Sequence, residues 1–309
     1  MPRIVILGPT ASGKTHLATR LALALDGEVI SADSRQLYRG MNIGTGKDLE
    51  EYTIDQHAIP YHLIDILDAG EKYNVYRFQE DCSEVLSDIE KRAKQAIICG
   101  GSGLYLDAIL KNYQFTGIPV DEQLRLSLNK LETEELLSMW YSRTSAYTPF
   151  ADTSTRKRLI RAIEITNYLL SNPNFKMASG EFSQQFHVFG LNPSVELRRK
   201  RISERLHQRL QHGLIEEVQR LLGTGITAEQ LIYYGLEYKF ITLFLTGELD
   251  YPTMVARLET EIHRFAKRQM TFFRKMERDG IKIQWLKASP DSPQAISEII
   301  SYLKQTVIT

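Results

Sequence analysis

Two cysteines in 309 residues, Cys82 and Cys99, leave nothing from which to build a disulfide framework. They form no C-x-x-C and no histidine stands at zinc spacing from them, so a structural zinc site is excluded on the same ground. No apolar run approaches the roughly 20 residues that cross a bilayer. The opening MPRIVILGPT has one basic residue, four apolar residues in a row and no small-residue cleavage site. A secretory signal is therefore not expected, and a reducing cytoplasm is. Net charge is missing too, since 38 Lys and Arg balance 38 Asp and Glu. What is present is an ordinary globular mixture, 43% hydrophobic and 25% charged, enough for one large domain or two smaller ones.

The neutral total hides an asymmetry. Between Gly46 and Glu90, twelve acidic residues face only Lys47, Lys72 and Arg77. Basic residues cluster later, at Arg156-Lys157-Arg158 with Arg161, at Arg198 to Arg201 with Arg205 and Arg209, and from Arg264 to Arg278. Any one cluster reads equally well as a solvated helix face. Three on a neutral chain point to a polyanion bound on one side.

Ile4 to Leu7 is a short continuous apolar run ending at Gly8, the pattern of a buried parallel strand. Lys14 to Leu25 has helical spacing, Glu28 to Ser31 is a second strand, Tyr73 to Lys94 an amphipathic helix, and Ala96 to Cys99 a third strand. That alternation predicts an α/β fold with a P-loop NTPase-like parallel sheet. The texture changes at Gly117-Ile118-Pro119, and helices are expected at Asp121–Leu131, Thr133–Ser142 and Thr153–Leu170. Strand character returns at Phe186–Gly190, followed by helices, a last strand at Ile281–Leu286 and a closing helix. The expected organisation is a core of residues 1–116 and 186–309, carrying an inserted helical domain at 117–185.

Gly8-Pro9-Thr10-Ala11-Ser12-Gly13-Lys14-Thr15 fits G-x-x-x-x-G-K-[ST], with a strand before it and a helix after it. Such a loop wraps a phosphate in backbone N–H groups at a helix N-terminus. Lys14 adds a point charge and the Thr15 hydroxyl is placed to ligate Mg²⁺, so the chain is expected to bind a di- or triphosphate. An ATPase would carry an acidic residue after a later core strand. Here that strand runs into Gly100-Gly101-Ser102-Gly103, with Asp65 the substitute candidate. Asp33 directly follows the second strand, where a carboxylate serves as general base, metal ligand or helix N-cap. Arg201 and Arg205, four apart on a helix, form either a diphosphate clamp or a solvated face paired with Glu204 or Glu217. The histidines show no ligand spacing.

Taken in order, GPTASGKT (8–15), ISADSRQLYRGMNIGTGK (30–47), YHLIDILD (61–68), GGSGLY (100–105), RKRLIRAIEI (156–165) and AKRQMTFFR (266–274) resemble the tRNA dimethylallyltransferases. The resemblance implies transfer of a dimethylallyl group from dimethylallyl diphosphate to N6 of the adenosine 3′ of the anticodon. It implies Mg²⁺ as cofactor, a tRNA anticodon stem-loop as partner, and a monomer working in the cytoplasm without a membrane. By the same resemblance Gly8, Thr10, Ala11, Ser12, Gly13, Lys14 and Thr15 cradle the diphosphate. Asp33 is the base, and Ser102 and Arg205 act on the leaving group. Asp33, Ser34, Arg35 and Gln36 meet the target nucleoside. Arg125, Lys157, Arg158, Leu159, Ile160, Arg161, Lys267, Arg268, Gln269 and Arg274 lie in segments that meet tRNA, and the helical insertion grips the stem-loop.

Three positions depart from the family pattern. Gly235-Leu236-Glu237 stands where Gly-Tyr-Arg or Gly-Tyr-Lys is usual, Thr271-Phe272 replaces Thr-Trp, and IGTAK reads Ile43-Gly44-Thr45-Gly46-Lys47.

Overall fold

The computed structural model of the chain describes residues 2–175, 186–287 and 289–307. Two compact units result, one of Met1–Lys111 with Phe182–Thr309 and one of Asn112–Glu181. The first begins with β1 (Arg3–Leu7), α1 (Lys14–Ala24), β2 (Gly27–Ser31) and the two-residue strands β3 (Thr53–Ile54), β4 (His57–Ala58) and β5 (Tyr61–His62). It continues through α2 (Val75–Lys91), β6 (Gln95–Gly100) and α3 (Gly103–Leu110). The second unit holds α4 (Glu122–Leu128), α5 (Thr133–Tyr141) and α6 (Arg156–Ser171). The first unit resumes with β7 (Phe186–Gly190), α7 (Val195–Gln211), α8 (Leu214–Gly223), α9 (Ala228–Tyr234) and α10 (Leu236–Leu245). It closes with α11 (Tyr251–Arg278), β8 (Ile283–Trp285) and α12 (Pro293–Val307).

Six strands pair in parallel in the order β5-β2-β6-β1-β7-β8. Every residue of β1, β2 and β6 is buried, which is why Ile4 to Leu7 and Ala96 to Cys99 read as unbroken apolar runs and not as alternation, while β2 buries Glu28 and Ser31 as well. Successive side chains still point to opposite faces. Val5, Leu7, Ile30 and Ile98 join a core with Phe78 of α2 and Phe273 of α11. Ile4, Ile6, Val29 and Ile97 join a second core with Leu17 and Leu21 of α1 and Ile299 of α12. Consecutive in sequence, β1 and β2 are not neighbours in the sheet, because β6 lies between them. The phosphate loop and Asp33 are thus separated by one strand, and the residues after β6 fill the gap. Strands β3, β4 and β5 were not expected, since two-residue strands carry no periodicity to read.

The second unit has its own core of Leu128, Leu136, Trp140, Leu159, Ile160 and Ile163. Glu164 is buried there at 3% exposure, and Arg125 reaches it through two bonds of 2.8 and 2.7 Å. Arg161 adds a 3.4 Å contact to the same carboxylate and donates to the carbonyls of Ile118 and Pro119. The expected end of the insertion, from Ser179-Gly180 to residue 185, lies outside the described residues. No helix among them is long and apolar enough to cross a membrane.

Candidate active site

Parallel strands end on one edge, and three of those ends build the site. In the register Leu7 lies opposite Gly100, and Ser31 opposite Cys99. The phosphate loop after β1, Ser102 after β6 and Asp33 after β2 therefore emerge side by side. Close approach is possible because Gly100 and Gly101 have no side chain: a Cβ would overlap the Ala32 carbonyl at the first and Gln269 at the second. Gly13, at φ 85°, turns the loop into the first turn of α1, whose N–H groups have no intrahelical partner. The Ser12 hydroxyl is buried within the loop without a hydrogen-bond partner among the described residues.

Asp33 heads a turn and no helix follows it, so the N-cap alternative is removed. Its Oδ1 accepts the Arg35 N–H at 3.0 Å. The Ser102 hydroxyl accepts the Ser34 N–H at 2.9 Å and donates to the Ser34 hydroxyl at 3.2 Å. Ser102 therefore holds the Asp33 turn in place. Ser102→Ala is expected to lower turnover roughly 10- to 100-fold with donor affinity changed only a few-fold, because the Ser34 N–H loses its acceptor. Steady-state kinetics beside a donor titration checks this, and equal losses in both would mark Ser102 as a ground-state binder.

Gln269 spans the site from α11. Its Oε1 accepts the Thr10 N–H at 2.8 Å and its Nε2 donates to the Gly101 carbonyl at 2.9 Å, so one buried amide fastens the phosphate loop to the end of β6. Arg205 donates to the Thr10 hydroxyl from α7. Burial, with the charge of Arg209 beside it, pushes the Arg205 guanidinium down to about 10, which leaves it charged at neutral pH. Cys99 lies at the end of β6 with its thiol pushed up to about 12 by burial, so it is no nucleophile. Asp65 is the partner of the buried Lys47, not a free carboxylate awaiting a metal.

A family model described as IPP transferase matches residues 36–276. The chain belongs to the IPP transferase family. It is similar to tRNA dimethylallyltransferase 1 of Azobacteroides pseudotrichonymphae, at 51% identity over 92% of each chain. It is 48% identical to tRNA dimethylallyltransferase 2 of Bacteroides fragilis, over 98% of each. Among solved structures, the full-length tRNA isopentenylpyrophosphate transferase of Bacillus halodurans superposes with a TM-score of 0.70 at 30% identity, covering 98% of this chain and 96% of that one.

Two of the residues that depart from the family pattern, Glu237 and Phe272, pack against residues of this site. Glu237 is buried and accepts from Arg35 at 2.5 Å. Burial opposes the charge on Arg35, and Glu237, with Asp33 adding to it, more than restores that charge. Glu237 is thus the buried counter-charge of Arg35. The Phe272 ring fills the space where a Cβ on Gly103 would be, so it packs against the start of α3.

The residues expected on nucleic acid divide sharply. Lys157, Arg158, Lys267, Arg268 and Arg274 are exposed. Leu159 and Ile160 are core residues of the second unit, and Arg125 and Arg161 are tied to Glu164. Gln36 is buried, accepting from the Ser31 hydroxyl and donating to the Gly46 carbonyl, both at 2.8 Å. Within the expected set these side chains, with Gln269, hold structure together, while the exposed cations face solvent, Arg158 paired there with Asp152.

Proposed function

We infer that the chain transfers the dimethylallyl group of dimethylallyl diphosphate to N6 of the adenosine 3′ of the anticodon in tRNA. The observation that carries this reading is the convergence of a phosphate loop, Ser102 and Asp33 on three adjacent strand ends. In the reaction N6 attacks the allylic carbon, and the carbon–oxygen bond to the diphosphate breaks with its electron pair leaving on oxygen. The N6 proton passes to the Asp33 carboxylate. Lys14, Arg205 and the loop N–H groups face the charge that gathers on the departing diphosphate. A base beside the anticodon reaches Asp33 only when splayed out of its stack.

Mg²⁺ fits the donor set. Among the described residues no group of three His, Cys, Asp or Glu could hold a metal. Thr15 offers one hydroxyl in the first turn of α1, and Mg²⁺ commonly takes few protein ligands and keeps substrate phosphate oxygens and water. When bound there it would supply positive charge to the diphosphate.

The reading predicts release of inorganic diphosphate from dimethylallyl diphosphate only when unmodified tRNA is present. Rapid phosphorylation of a small acceptor from labelled ATP would replace it with a kinase. The exposed cations should act through phosphates. Arg158→Ala, which removes a side chain now paired with Asp152 at 2.8 Å, and Arg268→Ala should each weaken binding of every substrate tRNA. Each should make the dependence of log K on log salt shallower by about one unit. Filter binding across a salt series measures this, and unchanged slopes in both would return these residues to solvated faces.

A further inference from the structure

Arg201, Arg205 and Arg209 recur every fourth residue along α7 and share one face. Two of them border the phosphate loop and the third lies one turn further along the same face. A guanidinium nitrogen of Arg201 is 4.0 Å from where a Cβ on Gly13 would lie, and Arg205 bonds Thr10. Arg209 reaches the segment that follows β2, where it donates to Asp48 at 2.6 Å. Gly46 makes room for it: a Cβ there would be 2.5 and 2.9 Å from the two terminal guanidinium nitrogens. This is a physical reason for glycine in Ile43-Gly44-Thr45-Gly46-Lys47, where the family pattern has alanine.

The segment carrying Asp48 is held firmly. Buried Glu217 accepts the N–H groups of Asn42, Ile43 and Gly44 at 2.8, 2.8 and 3.0 Å. The Lys47 ammonium is buried on the Tyr38 carbonyl and the Asn42 amide oxygen, each at 2.7 Å. Asp48 itself adopts the left-handed conformation, φ 46° and ψ 51°, which Asp tolerates better than most residues. Its carboxylate is 33% exposed, whereas its partner Arg209 is 12% exposed. Burial works to raise this carboxyl, but Arg209, Arg205 and Lys14 together hold it below its usual range. One carboxylate thus shares the field of three cations, of which Lys14 belongs to the phosphate loop, Arg205 bonds Thr10 in it, and Arg209 lies one turn beyond Arg205 on α7.

We propose that Asp48 is an internal counter-anion of the donor site, which offsets Arg209, Arg205 and Lys14 and thereby sets how tightly diphosphate is held and how readily it leaves. The proposal rests on the reading of the phosphate loop as a diphosphate site. Cations strong enough to receive the donor also retain the product, and free diphosphate carries more charge than its allyl ester. A fixed negative charge therefore weakens the product more than the donor. Asp48 is a positioning residue for Arg209 and a brake on product retention.

The test is a titration of the full-length protein with inorganic diphosphate at fixed Mg²⁺, repeated with dimethylallyl diphosphate. Asp48→Asn keeps an oxygen for Arg209 but removes the charge, and should bind inorganic diphosphate about ten-fold tighter, with a smaller gain for the ester. Arg209→Met should bind inorganic diphosphate about ten-fold more weakly. The double variant should return to within about three-fold of the parent, because one charge of each sign is gone. Asp48→Ser, a second neutral variant, should also tighten binding. Neutral variants that bind as the parent does, or more weakly, would overturn the proposal and leave Asp48 as a fastening for Arg209. Parent protein that fails to bind inorganic diphosphate, or a Lys14→Ala variant with unchanged affinity, would instead remove the diphosphate reading, and this proposal with it.

Discussion

Asp33→Asn should cut single-turnover transfer by on the order of 10² to 10⁴ while leaving donor binding nearly intact. Asn is close to isosteric, and its side-chain oxygen can still accept the Arg35 N–H that Asp33 takes at 3.0 Å. The turn should therefore survive, and with it the placing of Ser34 against Ser102. What Asn cannot do at neutral pH is take a proton. Adenine N6 is a poor nucleophile, its lone pair drawn into the ring, so attack without a base to receive its proton is slow. The phosphate loop lies two strands away, with β6 between, so the diphosphate loses no ligand. If Asp33 served a metal instead, donor affinity at limiting Mg²⁺ would fall together with the rate. Near-normal single-turnover rates at saturating donor and tRNA would remove the base assignment.

Lys14→Ala should have the opposite signature. Lys14 is the point charge of the phosphate loop, at the first position of α1. Losing a charged donor to a diphosphate weakens binding by about 10- to 100-fold, on the usual 1.5–3 kcal/mol for a hydrogen bond to a charged group. Turnover should fall further, by about 10² to 10³, because charge grows on the leaving oxygen as the bond breaks. Binding of tRNA should persist, since the exposed Lys157, Arg158, Lys267, Arg268 and Arg274 are untouched. Parallel titrations with donor and with tRNA separate the effects. A loss of tRNA affinity as large as the loss of donor affinity would mean that the loop serves the RNA.

The phosphate loop was legible because everything that defines it lies within about twenty residues: a run of buried apolar side chains, fixed glycines and a helix. Asp33 and Ser102 were legible for the same reason, each following a strand that announces itself. Their order across the sheet was not, since no local pattern says that β6 enters between β1 and β2. Gln269 shows the limit most clearly. In the run AKRQM it reads as one more polar residue of a basic helix, yet it joins Thr10 to Gly101, which lie 259 and 168 residues before it. A signal was present in the spacing of Ile262, Ala266, Gln269, Phe273 and Met276, which puts the amide on the buried stripe of α11. The pairing of Arg35 with Glu237, 202 residues apart, had no such signal, because a charged residue looks the same in sequence whether its partner is water or a buried ion. The ties of Arg125 and Arg161 to the buried Glu164 were illegible for the same reason.

The most direct measurement of the central claim is the mass of the nucleosides released from tRNA after incubation with the protein, Mg²⁺ and dimethylallyl diphosphate. The substrate should be an unmodified tRNA with adenosine 3′ of the anticodon, set beside the same tRNA with guanosine there. The account predicts one dimethylallyl group per molecule of the first tRNA, carried on N6 of that adenosine, none on the second, and none with the Asp33→Asn protein at matched short times. An unmodified adenosine at that position, or equal modification of adenosines throughout the molecule, would contradict it.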